Sequence, residues 1–158
     1  MPGPPTNIDV AEAFTLLADL LDVEAADRHR ILAYRRAADA IRGLDADVVA
    51  LARAGRATDI PGVGATLQSK ILELADTGDI AALARLRARV PPGLAEIARL
   101  HGVGGARARA IRETLGVEGI DDLRLAAAAG ELERVRGIGP ALRAGILAQL
   151  GVTPPAAP

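Results

Sequence analysis

Apolar residues recur along this chain at the three- and four-residue spacing of a helix face, almost without interruption. Val10, Phe14, Leu17 and Leu21 fit a first helix, with Thr6 or Asn7 placed to cap it. A second is expected from about Glu24 to Arg42, with Ile31, Tyr34, Ala38 and Ile41 on one face and Gly43 as its stop. A third, from about Asp45 to Arg53, carries Val48 and Leu51 and ends before Gly55. No segment alternates with period two between turn signals, so no strand is expected and the fold class reads as all-α.

Beyond Gly55 the pattern repeats. Three segments share an apolar-x-Gly-apolar-Gly string followed by a helical run: Ile60-Pro61-Gly62-Val63-Gly64, Leu100-His101-Gly102-Val103-Gly104 and Val135-Arg136-Gly137-Ile138-Gly139. Their first glycines stand 40 and then 35 residues apart, and a short helical stretch precedes each. Pro91-Pro92-Gly93 separates the first from the second. Asp121 is read as the cap of a further helix that ends at Gly130.

Such a unit has a clear physical use. The glycines permit positive φ and a tight turn, and they let a ligand approach the backbone where a Cβ would obstruct it. Val63, Val103 and Ile138 would pin the turns against the core. The following helix starts with unpaired amides and a positive dipole end, where a phosphate can sit. This is a helix-hairpin-helix motif, which grips DNA backbone without reading bases. One such string also closes ordinary helical hairpins, but three with flanking helices are specific. Arg107, Arg109, Arg136 and Arg143 flank the later two and are expected to meet phosphate.

Composition changes the picture in three ways. The 158 residues hold one Phe, one Tyr, no Trp and no Cys, which excludes a stacking platform for bases, disulfides and thiolate metal sites. His29 and His101 are too few for a histidine-rich metal centre. The 19 basic and 20 acidic residues leave a net charge of −1, so side-chain charge alone does not point to nucleic acid. No apolar run nears the roughly 20 residues of a membrane span, and the N-terminus lacks a signal-peptide pattern. A cytoplasmic, nucleoid-associated monomer is expected. Of the 19 basic residues, 18 are Arg and one, Lys70, is Lys, in a composition that looks like coding bias from GC-rich DNA.

The chain resembles the N-terminal part of family X DNA polymerases, the polymerase beta group and its bacterial relatives. The matching stretches are Ala33-Tyr34-Arg35-Arg36-Ala37-Ala38, Pro61-Gly62-Val63-Gly64, Lys70-Ile71-Leu72-Glu73-Leu74, Thr77-Gly78 and the run from Leu100 to Ala106. The resemblance implies two small helical subdomains carrying three helix-hairpin-helix motifs. These would be a disordered stretch over 1–6, a lyase-like domain over 7–90, a tandem hairpin domain over 94–151 and a flexible tail over 152–158.

It also implies roles for single residues. Lys70 matches the lysine that forms a Schiff base with an abasic sugar, and Tyr34 the tyrosine supporting it. On its helix Lys70 lies about 40–60° from the stripe of Leu67, Ile71 and Leu74, so its stem can rest on apolar surface. Arg cannot attack a carbonyl, which gives a lone Lys among arginines its interest. His29 and Arg30 match the pair that packs on a template base and binds the 5′-phosphate of a gap, and Arg35, in a matching stretch, is expected to meet DNA phosphate. The family often holds a monovalent cation, K+ or Na+, on hairpin carbonyls, and no other cofactor is implied. Lysines that line the family's phosphate pocket fall here on Thr58, Thr66 and Ala82, which weakens the lyase expectation. The sequence carries neither the three-carboxylate palm nor the nuclease domain, so these residues by themselves are not a polymerase or nuclease. Asp45-x-Asp47 and Asp121-Asp122 are spaced like metal pairs but read as helix caps. The expected function is therefore sequence-independent binding of gapped, nicked or duplex DNA in repair, alongside a repair polymerase, nuclease or ligase. The alternatives are a standalone deoxyribose-phosphate lyase and a protein-docking scaffold.

Overall fold

Helices form where the apolar spacing places them. The structure, a computed structural model, describes residues 3–156, and among these it has nine α-helices, two short 3-10 segments and no strand. In chain order they are α1 (Asn7–Val23), α2 (Arg28–Arg42), α3 (Val48–Arg53), α4 (Ala65–Thr77), α5 (Ala81–Arg89), α6 (Gly93–Arg99), α7 (Gly104–Leu115), α8 (Ile120–Ala128) and α9 (Pro140–Leu150). The 3-10 turns, Ala57–Asp59 and Glu131–Arg134, lead into the first and third hairpins. No helix among the described residues is long and apolar enough to cross a membrane.

The ends of the early helices differ from the expected ones for local reasons. Thr6 caps α1 by accepting from the Asp9 amide at 3.2 Å, while Asp9 accepts from the Thr6 amide at 2.7 Å and its hydroxyl at 2.8 Å. Thr6 is thus fixed, although it lies in the stretch expected to be disordered; Met1 and Pro2 fall outside the described residues. The second helix begins at Arg28 and not near Glu24. Ala25 takes a left-handed φ of 58°, with Ala25 N–H donating to Asp22 O and Ala26 N–H to Leu21 O, the paired bonds of a Schellman stop. Asp27 then caps α2. The third helix likewise begins at Val48, because Asp47 accepts from the Val49 and Ala50 amides. Asn7, the other candidate cap of α1, reaches instead to the α3 start, where its side chain accepts from the Val48 amide at 2.9 Å.

Two compact units result. The first comprises the chain up to Ala18 together with Asp27–Ala88; the second comprises Asp19–Ala26 and the chain from Arg89 onward. In the first, Phe14 and Tyr34 meet edge to face at 5.7 Å in a core otherwise aliphatic, with Leu17, Ile41, Ile71 and Leu83 fully enclosed. In the second, Leu94, Ile97, Ile111, Leu123 and Ile146 form the core.

The division places the last turns of α1 with the second unit, not at a single boundary near Pro91. Ion pairs and hydrogen bonds account for this. Asp19 meets Arg99 at 2.6 Å, Glu24 takes a two-point bond from Arg89, and the Val23 carbonyl accepts from Arg109 at 2.9 Å. Asp121 does not cap α8 as expected; Gly119 is the cap, Asp121 pairs with Arg124, and Asp122 accepts from the Glu118 amide. Within the tail, Pro154 and Pro155 line a cavity with Leu132 and Leu147, and Pro155 Cγ lies 3.2 Å from where a Gly130 Cβ would be, while Ala157 and Pro158 fall outside the described residues.

Candidate nucleic-acid interface

Each hairpin turn is a β-turn with glycine in the third place, as the sequence demands. Gly62, Gly102 and Gly137 have φ of 89°, 83° and 88°, values that L side chains strain to reach. The turn closes from Val63 N–H to Ile60 O at 3.0 Å, Val103 to Leu100 at 3.0 Å and Ile138 to Val135 at 3.4 Å. Val63, Val103 and Ile138 are buried and the turn glycines around them are exposed, so each turn is pinned from inside and bare outside.

The first and third hairpins share one geometry at the second glycine. Gly64 (φ −92°, ψ −176°) and Gly139 (φ −80°, ψ 177°) are extended and cap α4 and α9, and neither helix has a side-chain cap. A Cβ built on either would meet nothing within 4 Å. No acid stands in the first turn of α4 or α9. The leading amides of α4, and in α9 those that follow Pro140, which has no N–H, therefore present partial positive charge to open space. Asp47, Asp27 and the Thr6–Asp9 pair close the starts of α3, α2 and α1, whereas α6, α7 and α8 also lack a side-chain cap, with acids in the first turns of α6 and α8.

The second hairpin departs from this geometry. Gly104 is left-handed (φ 68°), and the next amide, Gly105, donates to Asp22 Oδ2 at 3.0 Å. A Cβ on Gly105 would lie 2.5 Å from Asp22 atoms, so only glycine admits this approach. A carboxylate of the chain thus occupies the amide that a phosphate would take. The turn is also held on its far side, where Gln149 Oε1 accepts from the His101 amide at 2.7 Å.

The expected basic residues divide into two sets. Arg107 donates to the carbonyls of Gly102 and Gly137, Arg109 to Val23 O, and Arg143 to Glu133 at 3.0 Å, so all three are tied into the protein. Exposed Arg136 beside the third turn, and His29 and Arg30 at the start of α2, have no side-chain hydrogen bond or ion pair to the described residues. Arg35 is half-buried on α2. Arg36, which the sequence did not single out, stands beside the first turn, its Cβ 3.8 Å from where a Gly62 Cβ would be. Its signal was present but faint: an exposed cation two residues after the buried Tyr34.

Lys70 lies half-buried on α4, and no hydrogen bond or ion pair links its amine to the described residues. Tyr34 is only 3% exposed and serves as a core aromatic against Phe14. Thr58 and Thr66 are exposed and Ala82 is buried, so none supplies a cation near Lys70. No acidic or imidazole cluster able to hold a metal ion occurs among the described residues. The Gly102 and Gly137 carbonyls both accept from the Arg107 guanidinium.

Residues 5–80 match the family described as helix-hairpin-helix domain, and residues 94–151 the family described as SAM-like helix-hairpin-helix tandem. The chain is 27% identical over 143 residues to the DNA polymerase/3'-5' exonuclease PolX of Bacillus subtilis (strain 168), a match that covers 90% of this chain. It spans about a quarter of the length of that relative, covering 25%, in its N-terminal part.

Proposed function

We propose, for a chain that is helix-hairpin-helix in both of its matched regions, that it binds the sugar–phosphate backbone of DNA without reading sequence. The grips are the open turns at Gly62–Gly64 and Gly137–Gly139, with Arg36 and Arg136 beside them. One observation carries the reading. Gly64 and Gly139 have backbone angles open to any residue and no neighbour in the space a side chain would fill. Nothing inside the protein calls for glycine there, whereas a phosphate seated on uncapped amides does. The similar relative is a DNA polymerase/3'-5' exonuclease. Such chemistry works at strand ends, which supports gapped or nicked duplex in repair as the substrate.

The test is the double variant Gly64→Ala, Gly139→Ala. Loss of a glycine cap costs about 1 kcal/mol or less per helix, so the fold survives. Affinity for a gapped duplex, read by fluorescence anisotropy, is expected to fall at least about tenfold, as charge-assisted bonds of about 1.5–3 kcal/mol are lost. Unchanged affinity rejects the grip.

A second reading rests on Lys70, whose amine has no partner among the described residues. In it the amine attacks the aldehyde carbon of a ring-opened abasic sugar and loses water to form an imine. Elimination then breaks the bond from C3′ to the phosphate oxygen. Borohydride would trap the imine as a covalent adduct that Lys70→Ala abolishes, and no adduct ends the lyase reading.

A further inference from the structure

Aligning Gly102-Val103-Gly104 with Gly137-Ile138-Gly139 pairs Arg107 of α7 with Leu142 of α9, each three residues beyond the second glycine. Each of these two side chains reaches the other hairpin. Leu142 Cδ1 covers Gly102, lying 2.8 Å from where a Cβ would be, and Arg107 Nε donates to Gly137 O at 3.1 Å. Arg107 Nη1 also donates to Gly102 O at 3.1 Å, so one planar guanidinium spans both turns. The Gly137 carbonyl belongs to the same rigid peptide plane as the Ile138 N–H. Holding that oxygen therefore fixes the peptide whose N–H closes the third turn on Val135 O, and with it the path of the backbone into Gly139.

The third turn needs outside support more than the others. Its closing bond is 3.4 Å, against 3.0 Å in the first and second. The second turn can provide that support because it is itself fixed, by Asp22 on Gly105 and Gln149 on His101.

We infer that Arg107 is a positioning residue for DNA binding, which uses the filled second turn as an abutment to set the backbone of the open third turn. It acts through the protein and does not itself meet phosphate. This rests on the DNA-backbone reading of the third turn. The guanidinium fork is essential to it, since a lysine ammonium keeps the charge but cannot span two carbonyls in a fixed plane.

The experiment compares the full chain with Arg107→Ala and Arg107→Lys. Hydrogen exchange on the free proteins comes first: the Ile138 amide, which closes the turn, is expected to exchange at least about tenfold faster in both variants, with core amides of α6 and α8 unchanged. Equal exchange overturns the inference. Binding to a gapped duplex is then followed against salt. Both variants are expected to lose affinity about tenfold with the slope of log K against log salt unchanged. If Arg107 touched phosphate, Ala would flatten that slope by about 0.9 and Lys would restore it, which also overturns the inference. Should the unaltered chain bind no DNA, the backbone-binding reading fails, while the exchange measurement still decides whether Arg107 holds the turn.

Discussion

Single residues decide which amides stay open. Asp22 has no motif around it and lies 83 residues from the amide it fills, so local sequence could not mark it. Removing it makes a sharp prediction. Asp22→Ala exposes the Gly105 amide and deletes a negative charge while Gln149 still holds the His101 amide of the second turn, so affinity for duplex DNA should rise by about tenfold, the value of one charge-assisted bond. An anisotropy titration showing equal or weaker binding would mean the second turn is mute for another reason. Tyr34 was legible only in part: its apolar spacing placed it on a helix face, and its burial against Phe14 follows from a core with no other rings.

At the scale of elements, spacing located nearly every helix, while the ends were set by hydrogen bonds that propensity does not register. The stretch Glu24–Ala26 reads as the start of the second helix, yet Ala25 turns left-handed, at a cost of about 1–2 kcal/mol. The Thr6–Asp9 pair makes a prediction about acid. The Thr6 amide and hydroxyl hold the Asp9 carboxyl below its ordinary range. A carboxyl depressed on folding contributes stability above its unfolded value and loses it as pH falls through the folded one. Asp9→Asn should therefore lower thermal stability near neutral pH and narrow its difference from the unaltered chain below about pH 4. Parallel pH profiles would show that Asp9 carries no such linkage. The three glycine strings were fully legible because their chemistry is local; the difference between second and third was not, because it comes from α1.

For the whole molecule, a net charge of −1 hides a distribution in which much of the positive charge is already spent. Arg89, Arg99, Arg107, Arg109 and Arg143 are among those that bond within the protein, leaving Arg28, Arg30, Arg36, Arg85, Arg136 and Lys70 as cations without such ties to the described residues. Affinity should thus fall with salt along a slope no steeper than about −5.4, at about 0.9 per phosphate neutralised. A steeper slope would mean that the internal pairs open on binding. The occupied second turn has one more effect. Two equivalent grips related by a local dyad would let the tandem lie on a duplex facing either way along it. With one grip filled by Asp22, the two ends of the tandem are no longer interchangeable. On the proposed backbone reading, the tandem then grips a strand through the third turn alone.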